Sequence, residues 1–263
     1  MGDFDGTHFK LDPSFEKDLS NSEHKSIWID YGRDNYAGVT WANIPDTNGR
    51  KLFIGWMSNW DYSQKVPTFK WRSAMTVARS VELRKIDNNY KLVFQPVKEL
   101  SNYRSVKYKK DAISIKRTEK IIDSKAIDLS STEINFKILD LKNSGFNFKL
   151  SNKQGDTLIF GYDNTNNNFF IDRRKSGKID YSENFANRVS MAKRTSLNPN
   201  LEAKIILDKT SIELFFDNGE TVMTEIFFPR SPFSELIIEP KSQEFILDNL
   251  ELHQLNINQT KLK

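Results

Sequence analysis

Three aspartates that could do acid–base chemistry, Asp30, Asp34 and Asp61, lie in the part of the chain that holds all five tryptophans, from Trp28 to Trp71. Aromatic ring faces pack against the C–H surface of a sugar, while fixed polar groups bind its hydroxyls. Two carboxylates a few ångströms apart can hydrolyse a glycosidic bond. The segment therefore predicts a sugar-binding cleft, with these aspartates as candidate acids.

The spacing of Asp30 and Asp34 weighs against catalysis by that pair. Only Tyr31, Gly32 and Arg33 separate them, and the Arg33 guanidinium would hold either carboxylate ionised. A general acid needs a raised pKa instead. The spacing favours a structural ion pair or an acceptor for sugar hydroxyls, with catalysis as the alternative.

The sequence offers no other catalytic system. It contains no cysteine, no Gly-x-Ser-x-Gly, no P-loop and no Gly-x-Gly-x-x-Gly. The histidines His8, His24 and His253 lack metal-ligand spacing and indicate surface or turn positions. Residues 3–6, Asp-Phe-Asp-Gly, match only the start of a calcium loop and predict a hairpin turn. We expect neither a metal nor a cofactor.

Charge and hydropathy exclude two classes of partner. The 39 basic and 35 acidic residues are interspersed and leave a net charge of +4, with one modest cluster at Lys107, Lys109 and Lys110. A nucleic-acid surface would be more concentrated, so the cluster indicates solvated surface. The sequence shows no long apolar run and no basic start before an apolar stretch, so we expect neither a membrane span nor a signal peptide.

Strand patterns dominate the chain and predict an all-β fold. Early runs rich in β-branched and aromatic residues alternate with turn clusters such as residues 45–49, a spacing that suits propeller blades. Those runs cover residues 26–30, 37–41, 51–57 and 73–81. After Pro96 tryptophan disappears, and the pattern predicts a β-sandwich with strands at 134–141, 146–151, 157–163 and 168–172.

The predicted domain boundary lies at residues 99–104. It separates the blades, residues 1–100, from the sandwich, residues 105–257. The run 244–255 predicts a closing strand, and the polar tail after Ile257 predicts a frayed end.

The clearest predicted hairpin joins residues 211–216 to residues 221–228. Its turn is Asp-Asn-Gly at residues 217–219, where Asn-Gly supplies the positive φ values of a tight turn. Alternation predicts that Ile212, Leu214 and Phe216 point inward.

Several motifs together carry a family resemblance. They are Gly2-Asp3-Phe4-Asp5-Gly6, Asp30-Tyr31-Gly32-Arg33-Asp34-Asn35-Tyr36-Ala37, Val39-Thr40-Trp41, Asn43-Ile44-Pro45, Gly55-Trp56-Met57-Ser58-Asn59-Trp60, Trp71-Arg72-Ser73-Ala74-Met75-Thr76, Asp172-Arg173, Ser176-Gly177, Leu207-Asp208, Ser211-Ile212-Glu213-Leu214-Phe215 and Asn218-Gly219-Glu220. From Gly2 to about Leu252, the chain resembles glycoside hydrolase family 32, the levanases, inulinases and invertases.

The resemblance implies a five-bladed propeller with a central pocket, joined to a β-sandwich. It also implies retaining hydrolysis of β-fructosides by an aspartate nucleophile and a glutamate acid. In the family the nucleophile lies in a Trp-Met-Asn-Asp-Pro-Asn-Gly-like motif, a second aspartate lies in Arg-Asp-Pro, and the acid/base lies in Glu-Cys. The resemblance implies that all three motifs lie upstream of this chain, and none occurs here. Asp34 follows Arg33 but precedes Asn35 rather than proline, so it belongs to a later motif. The chain resembles about the last two blades plus the sandwich, with no catalytic residue.

The resemblance also implies roles in substrate binding. Trp60 and Asn59 would form a wall beside the fructosyl ring, and Asp34 and Tyr36 would lie near the pocket floor. Other residues are expected to be structural: Trp41, Trp56 and Trp71 in the core, and Asp172 and Arg173 as an interdomain or hairpin ion pair.

Three functional hypotheses remain open. The chain is the C-terminal part of a fructan hydrolase and inactive alone, or one half of a split enzyme completed by an N-terminal propeller chain, or a non-catalytic fructan-binding module. A partial propeller exposes an apolar face and unpaired edges, so we also expect self-association or a complementing chain. The partner in each case is a fructan or sucrose-type carbohydrate. The resemblance implies that the parent enzyme works in the periplasm or outside the cell.

Overall fold

A computed structural model describes residues 1–20, 26–43, 49–86, 89–123, 127–141 and 144–257. The prediction of an all-β fold with a partial propeller and a sandwich is confirmed. Within the described part of the chain, no helix is long and apolar enough to cross a membrane. His24, the turn residues 45–48 and the tail after Ile257 fall outside the described residues.

The described blade part consists of a hairpin, a short helix and one five-stranded sheet. The hairpin pairs β1, Gly2–Phe4, with β2, Phe9–Leu11, and precedes helix α1, Pro13–Ser20. The blade sheet is antiparallel in the order β3-β4-β6-β7, with a short β5 paired to β4. Its strands are β3 Tyr36–Thr40, β4 Lys51–Met57, β5 Ala74–Met75, β6 Arg79–Ile86 and β7 Asn89–Pro96.

A 3-10 helix at Lys98–Tyr103 connects the blade sheet to two six-stranded sheets. Their strands are β8 Arg104–Ile115, β9 Glu119–Asp123, β10 Ser131–Leu139, β11 Phe146–Ser151, β12 Thr157–Asp163, β13 Asn168–Lys175, β14 Ser190–Lys193, β15 Leu201–Asp208, β16 Ser211–Phe216, β17 Thr221–Ile226, β18 Glu235–Pro240 and β19 Phe245–Leu255. The first sandwich sheet runs β17-β16-β15-β10-β19-β8, and the second runs β14-β13-β12-β11-β18-β9.

Strand β16 shows how the layers stack, because it is buried on both faces. Ile212, Leu214 and Phe216 point into the core between the two sandwich sheets, as predicted. The alternate residues Glu213 and Phe215 are also buried, on the face toward the blade sheet. There Phe215 packs in a cluster with blade and sandwich residues, namely Phe53, Phe94, Ile206, Val222 and Leu255. The first sandwich sheet is therefore the middle layer.

Most predicted strands and turns are present. The predicted strands at 51–57, 146–151, 157–163 and 211–216 match their bounds, and the others after residue 134 shift only at their ends. Residues 3–6 belong to the β1–β2 hairpin, where Asp5 Oδ1 accepts backbone hydrogen bonds from Thr7 and His8. Asp217, Asn218 and Gly219 all have positive φ, as the predicted turn requires.

The predicted strand at residues 26–30 does not form. The residues that follow it pair with the sandwich instead of the blade sheet. The backbone amides of Tyr31 and Asp34 donate to the carbonyls of Val222 and Thr224 on β17. The predicted strand at 73–81 is interrupted after β5. Its Val77 amide donates to the Glu213 carboxylate rather than to a neighbouring strand.

One element was not predicted, and one further expectation is wrong. Helix α1 was not indicated by the strand-dominated pattern, and none of its residues is buried. His253 is not a surface or turn residue, because it lies in β19, is buried, and contacts Glu251 at 3.2 Å between Nε2 and Oε2. The boundary at residues 99–104 stays a prediction.

Candidate substrate-binding site

Three rings form an exposed aromatic platform, defined here as Tyr36, Trp56 and Trp60. Tyr36 begins β3 and pairs directly with Trp56 on β4, and their ring centroids are 6.3 Å apart. The Trp60 ring, just past the end of β4, lies 5.0 Å from the Trp56 ring. Trp60 is 62% exposed and Tyr36 is 55% exposed. The platform therefore presents ring faces on which the C–H surface of a sugar could pack.

Asn59 fixes the turn that presents Trp60. Its side-chain Nδ2 donates to the Arg33 carbonyl at 3.0 Å, and its Oδ1 accepts from the Asp61 amide at 2.9 Å. Arg33 also lies 3.9 Å from the exposed Asp61 carboxylate. Both ends of the Asn59 amide are thus bonded to protein, and they tie the Trp60 turn to the segment that carries Asp34.

Asp34 lies in a buried cluster behind the platform. Its Oδ1 accepts from the Tyr62 hydroxyl at 2.6 Å, and its Oδ2 accepts from Arg173 Nη1 at 2.5 Å and from the Ile226 amide at 2.9 Å. Arg173 comes from β13 in the sandwich, so this ion pair joins the two parts of the chain. Neither side chain is more than 1% exposed.

Arg173 serves a second carboxylate. Its Nε lies 2.9 Å from Glu225 Oε2, and the Ser190 hydroxyl donates to the other Glu225 oxygen. One buried cation is therefore shared by Asp34 and Glu225. Burial raises the pKa of Glu225 to about 7; Arg173 opposes that rise and Asp34 adds to it. Burial also raises the pKa of Tyr62, which therefore stays a hydrogen-bond donor.

The pKa of Glu225 predicts a pH dependence of stability. Folding raises this pKa from 4.5 to about 7, so the folded state binds the proton more tightly and the free energy of unfolding falls as the pH rises across that interval. Glu225→Gln should remove that part of the decline. Urea unfolding at several pH values measures it, with Glu235→Gln as control, because salt-bridging lowers the pKa of that glutamate. Parallel pH profiles for wild type and Glu225→Gln would contradict the assignment.

Asp30 lies in a second buried cluster of the same design. Its Oδ1 accepts from the backbone amides of Gly32 at 2.9 Å and Thr224 at 2.8 Å. Its Oδ2 accepts from Arg79 Nη1 at 2.8 Å, and Arg79 Nη2 donates to Glu213 Oε2 at 2.6 Å. Burial raises the pKa of Glu213, and the attraction of Arg79 offsets only part of that rise. Here too one arginine serves two carboxylates, one from each part of the chain.

The structure corrects the expected partners of the charged residues. Arg33 holds neither Asp30 nor Asp34; its Nη1 donates instead to the Phe185 carbonyl and to Asn187. Arg173 does form an interdomain ion pair, but Asp172 pairs separately with its exposed neighbour, at 2.7 Å from Arg174 Nη2.

The expected core tryptophans are not in the core. Trp41 is 43% exposed and Trp71 is 46% exposed, while Trp56 is half-buried in the platform. Sequence reasoning also missed the buried partners Tyr62, Arg79, Glu213, Thr224 and Glu225. Two of them carried a signal, because Glu213 and Glu225 are lone acids within strands that are otherwise rich in apolar residues.

The arrangement supplies binding groups rather than a catalytic pair. A retaining glycosidase needs two carboxyl groups about 5–5.5 Å apart, one of them able to donate a proton to the leaving group. Asp30 and Asp34 are buried and fully engaged with donors, and Asp61 is exposed beside Arg33. Among the described residues, no group of three or more His, Cys, Asp or Glu side chains is placed to hold a metal ion.

Comparison with known proteins gives two family matches that together cover most of the chain. The family model for the glycosyl hydrolases family 32 N-terminal domain matches residues 1–96. The model for the glycosyl hydrolases family 32 C terminal matches residues 99–254.

Similar proteins and structures agree with these matches. A levanase of Bacillus subtilis is 32% identical over 97% of this chain, which corresponds to 37% of the levanase. An extracellular exo-inulinase of Aspergillus awamori is 30% identical over 88% of the chain and 42% of its own length. The crystal structure of exo-inulinase from Aspergillus awamori superposes with a TM-score of 0.80 and 25% identity, over 97% of this chain and 48% of the inulinase. The β-fructofuranosidase of Schwanniomyces occidentalis complexed with fructosyl-erythritol gives a TM-score of 0.76, also at 25% identity, over 97% of this chain and 52% of that one. This chain thus spans about half of these proteins or less.

Proposed function

Because the chain belongs to glycoside hydrolase family 32, we propose that it is the C-terminal part of a β-fructosidase and is inactive alone. Its role is to complete a fructosyl-binding pocket whose catalytic carboxylates come from preceding propeller blades. The substrate class is a β-fructoside such as levan, inulin or sucrose, in line with the levanase and inulinase relatives.

The engagement of the carboxylates carries this proposal. Asp30 and Asp34 accept hydrogen bonds from buried arginines and backbone amides, so neither has a free oxygen to attack an anomeric carbon. A carboxylate held by a cation is also a poor proton donor. Asp61 alone cannot provide both a nucleophile and an acid.

The aromatic platform supports the binding role. Trp60 and Tyr36 would contact the fructosyl unit, since they are the exposed members of the platform. Asn59 and Asp34 were both predicted to bind sugar, and such contacts stay predictions. Their hydrogen bonds to protein favour positioning roles, in which Asn59 orients Trp60 and Asp34 anchors the segment that leads to Tyr36.

The exposed strand β3 supports completion by another part of a propeller. All five residues of β3 are exposed, and it forms the edge of the blade sheet. The hairpin β1–β2 exposes Phe4 and Phe9, at 66% and 57%. An uncovered strand edge beside apolar surface favours pairing with a further strand. A preceding blade, in the same polypeptide or in a complementing chain, would cover both.

Reducing-sugar release from levan, inulin and sucrose tests the proposal. We expect no release by the purified chain, and release once a polypeptide carrying the three upstream family motifs is added. The complemented activity should be lost in Trp60→Ala and kept in Trp71→Ala. The proposal would be overturned if the chain alone released reducing sugar, with an activity that co-elutes with the protein in chromatography and disappears in Trp60→Ala. Asp30, Asp34 and Asp61 would then be the residues to mutate.

The exposed platform also favours a second candidate, a non-catalytic fructan-binding module. Calorimetry with fructooligosaccharides at millimolar concentration separates the two functions. A binding module gives heat with the chain alone, and Trp60→Ala should weaken the affinity by about tenfold, equivalent to about 1.4 kcal/mol, while Trp71→Ala should not. No heat at this concentration removes the binding-module candidate and leaves the fragment proposal.

A further inference from the structure

A groove of about 520 Å³ lies between the blade sheet and the outer face of the first sandwich sheet. Gln95 of β7 and Arg84 of β6 contribute one wall, and residues of β10 and β15 contribute the other. None of the platform rings lines it. This interdomain groove is therefore a second concave surface, large enough for a small ligand.

More positively than negatively charged side chains line the groove. Four cations and two carboxylates face it: Arg84, Arg104, Lys137, Lys204, Glu202 and Glu251. Both carboxylates are already paired, Glu202 with Lys137 at 2.6 Å and Glu251 with Lys109 at 2.8 Å. Among the side chains that line the groove, cations thus outnumber carboxylates.

The arginines of the groove are paired as well. Arg104 lies 2.6 Å from the buried carboxylate of Glu133, and Arg84 lies 2.7 Å from Glu82. Lys204 is different, because its ammonium has neither an ion pair nor a hydrogen bond to any residue that the structure describes.

Lys204 lines the groove from the middle of a strand. It lies on β15 between Asn135 of β10 and Phe215 of β16, directly paired with both, and is half-buried. Burial lowers the pKa of this lysine; Arg104 lowers it too, while Glu133 raises it. A partly buried ammonium without a partner is unfavourable, and an anion in the groove would relieve that cost.

We propose that the interdomain groove binds a small oxyanion, a phosphate or carboxylate group, through Lys204. Gln95 and Asn135 line the same groove. The Asn135 side-chain amide already donates to Glu133 Oε1 at 2.8 Å, which leaves its second N–H to donate to the oxyanion, and the Gln95 amide carries two such donors. The ligand would contact the blade sheet and the sandwich together, so its binding should stabilise their association. This site does not depend on the fructosyl-binding role of the platform.

Thermal unfolding and calorimetry with sodium phosphate test this site, with sodium chloride at matched ionic strength as reference. We expect phosphate to raise the unfolding temperature of wild type beyond chloride. Lys204→Met should weaken phosphate binding by about 10- to 100-fold, the range for loss of one charge-assisted hydrogen bond. Lys107→Met is the matched control, because Lys107 is exposed on β8 of the same sheet, and it should bind phosphate as wild type does.

The unfolding temperature of Lys204→Met without phosphate shows whether this variant folds. Without phosphate, Lys204→Met should unfold at the same temperature as wild type or higher, since an unpaired, partly buried charge has been removed. Sodium acetate in the same assay distinguishes a carboxylate ligand from a phosphate ligand, and binding of either one through Lys204 supports the site. The proposal is overturned if neither anion acts beyond chloride, or if Lys204→Met and wild type respond equally.

Discussion

Replacement of Arg173 by methionine should lower the free energy of unfolding by about 3–5 kcal/mol, the usual cost of breaking a buried ion pair by removing one partner. Asp34 and Glu225 are at most 1% exposed and would remain buried without their shared cation. Because Asp34 belongs to the blade part and Arg173 to the sandwich, the loss should fall mainly on the contact between them.

Two optical probes can locate that loss. All five tryptophans lie at or before residue 71, so tryptophan fluorescence follows the blade part, whereas far-UV circular dichroism follows both parts. In urea unfolding of wild type the two transitions should coincide. In Arg173→Met the fluorescence midpoint should move to lower urea than the dichroism midpoint.

Arg174→Met is the matched control for this prediction. Arg174 is the next residue on β13, but its side chain is 53% exposed and pairs with Asp172 at the surface. Its replacement should change stability by less than about 0.5 kcal/mol, because exposed ion pairs contribute little. Equal, small shifts for both variants would show that the buried cluster does not hold the parts together.

Arg79→Met should have an effect of similar size, about 3–5 kcal/mol, at the second cluster. Arg79 is fully buried, and Asp30 and Glu213 are 2% and 3% exposed. Without the guanidinium, two carboxylates face each other in a site that excludes water. Urea unfolding at pH 7 measures the loss.

A double variant separates the charge from the packing of Arg79. Glu213→Gln added to Arg79→Met should recover part of the lost stability, because a buried amide costs less than a buried unpaired carboxylate. Arg84→Met on the same strand is the control, since Arg84 pairs with Glu82 at the surface, where the side chains are 41% and 53% exposed. A double variant less stable than Arg79→Met would contradict the charge-based account.

The two clusters explain why the blade sheet sits where it does. In each, a buried arginine joins one aspartate of the blade part, Asp30 or Asp34, to one glutamate of the sandwich, Glu213 or Glu225. Each glutamate comes from the middle layer, on a strand that also faces the main core. The candidate sugar-binding surface is thus fixed to a rigid sheet, as a preorganised site requires.

Much of the fold was predictable from local pattern. Alternation of apolar residues placed Ile212, Leu214 and Phe216 in the core, and Asn-Gly placed the turn beside them. These features depend on neighbours in sequence, since the side-chain period of a strand and the φ requirement of a turn are local properties. The family resemblance also came from contiguous motifs, which predicted the partial propeller and the sandwich.

The roles of the charged residues were not predictable in this way. Sequence proximity suggested Arg33 as the partner of Asp30 and Asp34, but Arg79 and Arg173 hold these carboxylates from far along the chain. A sequence with 39 basic residues does not indicate which one folding brings to a given carboxylate. By itself the sequence determined most of the strands, the Asn-Gly turn and the family. Only the tertiary structure decided that Asp30 and Asp34 join the layers and that Trp60 is left exposed, because burial and ion pairing depend on which surfaces meet.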